Sequence, residues 1–209
     1  MSNNLNIVIP MKSPVRSKQR LMSVLTLAQR ETLATTLFRK TLAFFAEHYS
    51  QVNRLVVTDS DQIARIAKIY GAQVLIEQQS KGLNSALESA TNWSVTNGFD
   101  QQMVIPADIA HLEIEEIEPI LEAAKNNAVV IARAKDNGTN ALLTTPPNAI
   151  EFCYGNQSSL AHVQEAHKKK LTVEILNLAN LSQDIDVPDD LFLVSPSYQA
   201  ELSAKGVLL

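Results

Sequence analysis

The chain has 209 residues, 45% hydrophobic and 19% charged, enough to bury a sizeable core and in keeping with one domain spanning 1–209. Its net charge of −4 argues against nucleic acid or an anionic membrane as partner, and no apolar run approaches the roughly 18 residues of a membrane span. A single cysteine, Cys153, excludes an internal disulfide and a multi-cysteine zinc site; with no signal-peptide pattern at the N-terminus, the expected location is cytoplasmic.

Short apolar runs alternate with helical segments. LNIVI (5–9) reads as a strand. From about Thr26 to Tyr49, Leu33, Leu37, Thr41, Leu42 and Phe45 fall at spacings of three and four, an amphipathic helix. RLVVT (54–58) reads as a second strand, and the segment after it as a helix capped by Asp59 or Ser60 and ended by Gly71. AQVLI (72–76) is a third strand, 82–98 a helix and QMVI (102–105) a fourth strand. A helix over 113–126 should bend or restart near Pro119, because proline lacks the N–H and its ring clashes with the preceding turn. AVVIA (128–132) is a fifth strand. The pattern then changes: NALLTT (140–145), a Pro-Pro break, AIEFCYG (149–155), a helix near 157–169 and LTVEIL (171–176) suggest shorter strands around one helix. The expected fold is α/β, a three-layer, mostly parallel twisted sheet with helices on both faces and some late antiparallel strands.

Open parallel sheets place ligands beyond the carboxyl ends of their strands, so the polar residues following each strand are the candidates. Lys12, Arg16, Lys18 and Arg20 follow the first strand; Asp59 and Asp61 the second; Lys81, Gly82 and Asn84 the third; Asp108 the fourth; and Asp136, Gly138, Thr139 and Asn140 the fifth. Cations and carboxylates on one rim suit a polyphosphate, with the cations neutralising phosphate and a carboxylate holding Mg²⁺. Each piece also has a plainer reading. The basic loop reads equally well as solvated, and Asp59-Ser60-Asp61 suits a helix N-cap better than a metal-binding Asp-x-Asp. Asp108 stands four or more residues before the helix it would have to cap. Lys168-Lys169-Lys170 belongs at a helix C-terminus, facing the macrodipole and solvent.

Absent patterns narrow the chemistry. The six glycines are scattered, with neither a dinucleotide fingerprint nor a P-loop. His162 and His167 lie about 140° apart around a helix and do not form one metal face. His48 and His111 are isolated, and neither Ser158 nor Cys153 lies in a nucleophile-elbow context.

Six segments, IPMK followed by RSKQRL, GLNSAL, IPADIAHL, GTNALL, YGNQSSLAHV and DIDVPDDL, occur in the order and approximate spacing of one family. On them the chain resembles the 2-phospho-L-lactate guanylyltransferases, the CofC/FbiD group, over residues 7 to about 192. The resemblance implies a fold like that of the molybdenum-cofactor (MobA-like) nucleotidyltransferases and of nucleotide-diphospho-sugar transferases. The implied activity joins GMP from GTP to a small phosphorylated carboxylic acid, with pyrophosphate released, in deazaflavin coenzyme F-420 biosynthesis. The acid would be 2-phospho-L-lactate, phosphoenolpyruvate or 3-phospho-D-glycerate.

By the same resemblance, Lys12, Arg16, Lys18 and Arg20 face the triphosphate, and Gly82, Leu83 and Asn84 lie near base and ribose. Asp108 binds nucleotide-associated Mg²⁺, with Asp186, or else Asp184, as the second metal ligand. Thr139, Asn140, Gly155 and Ser158 form the acceptor pocket, and Lys12, Lys18 and Asp108 carry the catalysis. A homodimer stays open as an assembly. The chain departs from the family in having Ala110-His111 for a usual Pro-Leu, Gln157 for a frequent Gly, and GTN for GTT; these changes bear on the acceptor rather than on the reaction type. Rival readings are another nucleotidyltransferase of this fold, a glycosyltransferase using Asp59 and Asp61, and a catalytically silent nucleotide-binding homologue.

Overall fold

The computed structural model describes residues 4–78, 81–193, 196–204, 206 and 207. Its centre is a seven-stranded sheet built from β1 (Leu5–Pro10), β2 (Asn53–Thr58), β3 (Gln73–Ile76), β4 (Gln101–Val104), β5 (Val129–Arg133), β6 (Thr139–Thr144) and β7 (Val173–Leu176), in the spatial order β3-β2-β1-β4-β6-β5-β7. Only β6 runs against the rest, pairing antiparallel with both β4 and β5, while β7 returns parallel to β5. The expected three-layer, mostly parallel sheet is what the chain forms, and the antiparallel part is confined to one late strand. Residues 149–155, expected as a strand, form none: Ala149 to Gly155 run as irregular chain beside the sheet.

Alternation along the strands sorts the core into two faces. Ile7, Ile9, Val56, Met103 and Val130 pack beneath α1 (Leu27–His48), α2 (Asp61–Ile69) and α4 (Ile114–Ala123). Their neighbours Val8, Leu55, Val57, Val104, Val129 and Ile131 face α3 (Leu83–Thr96) and α5 (Ser158–Lys168). Burying each such aliphatic side chain contributes about 1.5–3 kcal/mol before the entropic cost of ordering it. α1 opens with a reciprocal capping box, in which Gln29 N–H donates to Thr26 Oγ1 and Thr26 N–H to Gln29 Oε1. α4 neither restarts nor ends at Pro119, which lies within it; the helix stops three residues short of its expected end. α5 ends at Lys168, so the lysine run does close a helix. A last helix, α6 (Pro196–Ala204), had no clear signal in the sequence.

A third cluster positions the loop after β1. Leu21 and Leu25 from that loop, Leu33 and Leu37 from α1, Ala110, Ile185, Leu202 and Val207 are buried together. The basic residues are therefore carried on a loop with its own apolar anchor. Arg30 of α1 adds a bond to the Ser17 carbonyl at 3.1 Å.

Candidate active site

β1 is flanked by β2 on one side and β4 on the other, so the chain changes direction across the sheet between β1 and β4. Ligand crevices form at such switch points. A cavity of about 370 Å³ lies there, lined by Pro10, Met11, Lys12, Arg16 and Lys18 beyond β1, by Glu77 and Leu83 beyond β3, by Pro106, Ala107 and Asp108 beyond β4, and by Thr139, Tyr154 and Asp186. From β3 to β4 it crosses three interstrand spacings, about 14 Å, the scale of a nucleotide.

Lys18 and Asp108 are its electrostatic centre. Lys18 adopts a left-handed backbone conformation (φ 55°) between two short 3₁₀ turns, which costs a non-glycine residue about 1–2 kcal/mol. Its ammonium donates to Asp108 Oδ2 at 2.5 Å and to the Ile185 carbonyl. The Lys18 side chain is 4% exposed and that of Asp108 32%, so the pair bridges the buried wall and the open cavity. Asp108 does not cap α4: the N-cap is Glu113, and no side chain bonds there.

A short antiparallel bridge brings the distant acids to this point. Ile109 pairs with Asp184, Ala110 N–H donates to the Gln183 carbonyl, and Ile185 N–H to the Asp108 carbonyl. Burial, and then the negative charge of Asp108, raise the Asp184 carboxyl above the usual carboxylate range, while a bond from Asn140 Nδ2 opposes the rise. Asp186 lines the cavity and accepts from Arg20 Nη1 at 2.8 Å. Among the described residues no three metal-ligating side chains gather into a ready cage. Mg²⁺ commonly takes only one or two protein carboxylates together with substrate phosphates. The oxygen donors present, and the negative charge that Asp108 and Asp184 share across this point, fit such an ion.

Lys12, Arg16, Lys18, Leu83, Asp108, Thr139 and Asp186 thus meet at one cavity. Other expected residues lie around it. Gly82 (φ 103°) is the N-cap of α3, a conformation that favours glycine. Asn84 clamps the irregular segment, accepting from Tyr154 N–H at 2.9 Å and donating to its carbonyl. Asn140 turns away, donating to the Leu181 carbonyl at 3.0 Å as well as to Asp184. Gly155 has open space around it, and Ser158 is buried against Thr139 with a 3.0 Å bond.

Neighbours on a strand face opposite sides in any case; a bulge in β6 decides which side Thr139 and Asn140 each take. Ala132 pairs with Ala141, but Arg133 pairs with Thr139, leaving Asn140 as the extra residue. Thr139 thereby points toward α5 and Asn140 toward Leu181, a redirection characteristic of bulges beside sites.

Of the two expected cap residues, Asp59 and Ser60, the second takes the role. Ser60 is the N-cap of α2, while Asp59 accepts from Ser13 N–H at 3.0 Å and pairs with Arg16. Both its oxygens fasten the basic loop. Ala110 and His111 border a separate pocket with Lys40, Thr41 and Phe44, so that departure from the family does not line the main cavity.

Three residues were not among the site candidates read from the sequence. Glu77 stands at the end of β3, its carboxyl raised by burial and by Asp59 and lowered by Lys12; the strand-end rule would have found it one residue past its strand. Tyr154 borders the cavity, and its buried hydroxyl has no hydrogen-bond partner, a cost of about 1–3 kcal/mol. His162 is fully buried and bonded through both ring nitrogens. Cys153 is free, and burial followed by Glu165 and Glu151 pushes its thiol up, away from nucleophilic character.

A family model described as guanylyl transferase CofC like matches residues 5–195. A 3-phospho-D-glycerate guanylyltransferase from Colwellia psychrerythraea is 49% identical over 91% of this chain and 90% of its own length. A phosphoenolpyruvate guanylyltransferase from Roseiflexus castenholzii is 33% identical over 90% of this chain and 86% of its own. Among solved structures, a nucleotide-diphospho-sugar transferase-like protein from Desulfovibrio desulfuricans G20 superposes with a TM-score of 0.75 at 17% identity, covering 98% of this chain and 96% of that one; this last likeness concerns the fold.

Proposed function

Because the chain belongs to the family of CofC-like guanylyl transferases, we propose that it joins GMP from GTP to a small phosphorylated carboxylic acid, as one nucleotidyltransferase domain over residues 1–209, in coenzyme F-420 biosynthesis. The observation that carries this reading is the half-buried Lys18–Asp108 pair at the sheet's switch point, with Lys12 and Arg16 lining the same cavity. A phosphate oxygen of the acid attacks the α-phosphorus of GTP, a new phosphoanhydride bond forms, the bond from the α-phosphorus to the bridging oxygen breaks, and pyrophosphate leaves. The second ionisation of a phosphate monoester lies near pH 6, so the attacking oxygen is already anionic at neutral pH and needs little help from a base. Positioning and charge stabilisation then supply the catalysis.

Lys12, Arg16 and Lys18 neutralise the triphosphate and the departing pyrophosphate, with Arg20 at the margin on Asp186. Leu83, at the first turn of α3, offers an apolar edge to the nucleoside, with Gly82 and Asn84 shaping that turn. Asp108 with Asp186, or else with Asp184, would hold Mg²⁺. When bound, the ion would offset negative charge on the reacting phosphates. Thr139, with Ser158 behind it and Gly155 and Asn140 nearby, forms the acceptor end.

The acceptor we assign is 3-phospho-D-glycerate, on the 49% identity to the relative bearing that name. The test is pyrophosphate release from GTP and Mg²⁺ with 3-phospho-D-glycerate, phosphoenolpyruvate or 2-phospho-L-lactate. Release fastest with 3-phospho-D-glycerate is the expected result. A preference for one of the other acids would overturn the acceptor assignment, and no release with any of the three would overturn the activity.

A further inference from the structure

The imidazole of His162 has a tautomer set by the backbone. Its Nε2 lies 3.0 Å from the Cys153 amide nitrogen; an amide N–H only donates, so Nε2 is the acceptor and carries no proton. The ring is neutral and its proton sits on Nδ1, 3.1 Å from Thr139 Oγ1. Nδ1 therefore donates to the threonine hydroxyl.

Ser158 Oγ lies 3.0 Å from the same Thr139 oxygen. Two hydroxyls share one contact, so one of their two protons must look elsewhere. Ser158 is 1% exposed and does not border the cavity, whereas Thr139 does. Sending the Ser158 proton to Thr139 leaves no buried donor stranded. The reverse would strand it at the start of α5, at about 1–3 kcal/mol. With Nδ1–H and Ser158 O–H both donating to it, Thr139 Oγ1 has its lone pairs filled and can act toward the cavity only as a donor. The Tyr154 ring stands edge-on to the imidazole, centroids 4.9 Å apart at 71°, and His162 is fully buried, so water does not scramble the chain of bonds.

We propose that His162 is a positioning residue for the acceptor: by donating to Thr139 it obliges that hydroxyl to present its proton to an anionic oxygen, carboxylate or phosphate, of the phospho-acid. This rests on the acceptor reading of the Thr139 end of the cavity. It makes that end selective for a ligand oxygen that accepts, and unfavourable to one that must donate.

The test separates the two ring nitrogens. In His162→Asn the side-chain amide can stand where Nδ1 stands, keeping a donor to Thr139 while losing the acceptor for Cys153 N–H. In His162→Gln the amide reaches the Nε2 position and does the reverse. KM for 3-phospho-D-glycerate, KM for GTP and Tm are measured for both variants and for Thr139→Val. The expected result is a rise of about tenfold in the phospho-acid KM for His162→Gln and Thr139→Val, the scale of one hydrogen bond to a charged group. GTP KM should stay within about twofold, and His162→Asn should keep the phospho-acid KM near wild type despite a lower Tm. If both His162 variants shift both KM values together, in step with Tm, His162 is merely structural and the inference falls. It also falls if Thr139→Val weakens the acid and His162→Gln does not, which leaves the acceptor reading standing. An unchanged phospho-acid KM in Thr139→Val overturns the acceptor reading itself, and the inference with it.

Discussion

The place of Asp108 on the cavity was legible in the sequence because it depends on one local fact, that an acid follows soon after a core strand. Its partner was not legible: Lys18 lies 90 residues away, and the Ile185 carbonyl that shares the ammonium lies 167 residues from Lys18. Asp108→Asn keeps the shape but removes the charge that Lys18 and any bound cation meet. We expect folded protein with kcat reduced by about 10²-fold or more, the scale of losing one preorganised electrostatic contact; wild-type turnover in a pyrophosphate assay would remove Asp108 from the mechanism. His162 gives a second prediction at this scale. Burial lowers its pKa from 6.5 to about 4, with Glu165 opposing. Between these values the unfolded chain binds the proton and the native chain does not, so stability is fullest above pH 6.5 and falls as the pH drops toward 4, by about 3 kcal/mol in all. Urea melts at pH 7 and pH 4.5 should show this loss in the wild type and a smaller one in His162→Asn.

At the scale of elements, the helices and parallel strands were readable because period and caps are local, and the errors lie where longer-range contacts intervene. Residues 149–155 have strand-like composition, yet Asn84 takes both the amide and the carbonyl of Tyr154, and His162 takes the amide of Cys153. Backbone groups satisfied by side chains do not need a ladder. Pro119 is accommodated because its ring falls in the second turn of α4, where few bonds precede it. The bulge that turns Thr139 toward α5 has no composition signal at all. Gln157, the N-cap of α5, is left-handed (φ 53°) and exposed, which accounts for the glycine frequent there in the family. Gln157→Gly should therefore raise stability by about 0.5–1 kcal/mol, the relief of the left-handed strain less the added freedom of the unfolded chain. A thermal melt would register this as a few degrees, with kcat unchanged; a lower Tm would contradict it.

At the scale of the molecule, layers and class followed from alternation of βα segments, but strand order did not, because pairing β4 with β6 rather than β5 is a choice among distant partners. The acidic balance of the chain argues against polyanionic partners as whole surfaces while leaving room for a local cationic cavity, and Lys12, Arg16 and Lys18 line one. The three departures from the family also separate at this scale: Ala110-His111 lie on the α1 side beside a different pocket, Gln157 lies at the start of α5, and Asn140 faces the late acids.

The bridge between residues 108–110 and 183–185 has a consequence for biogenesis. Synthesis adds about 5–20 residues per second, so the basic loop and all four parallel strands from β1 to β4 leave the ribosome seconds before Asp184, Ile185 and Asp186. Until then Lys18 has no Ile185 carbonyl, Arg20 no Asp186, and the apolar anchor of the basic loop lacks Ile185, Leu202 and Val207. Until residues 184–207 arrive, the cationic rim lacks the contacts that hold it in the folded protein.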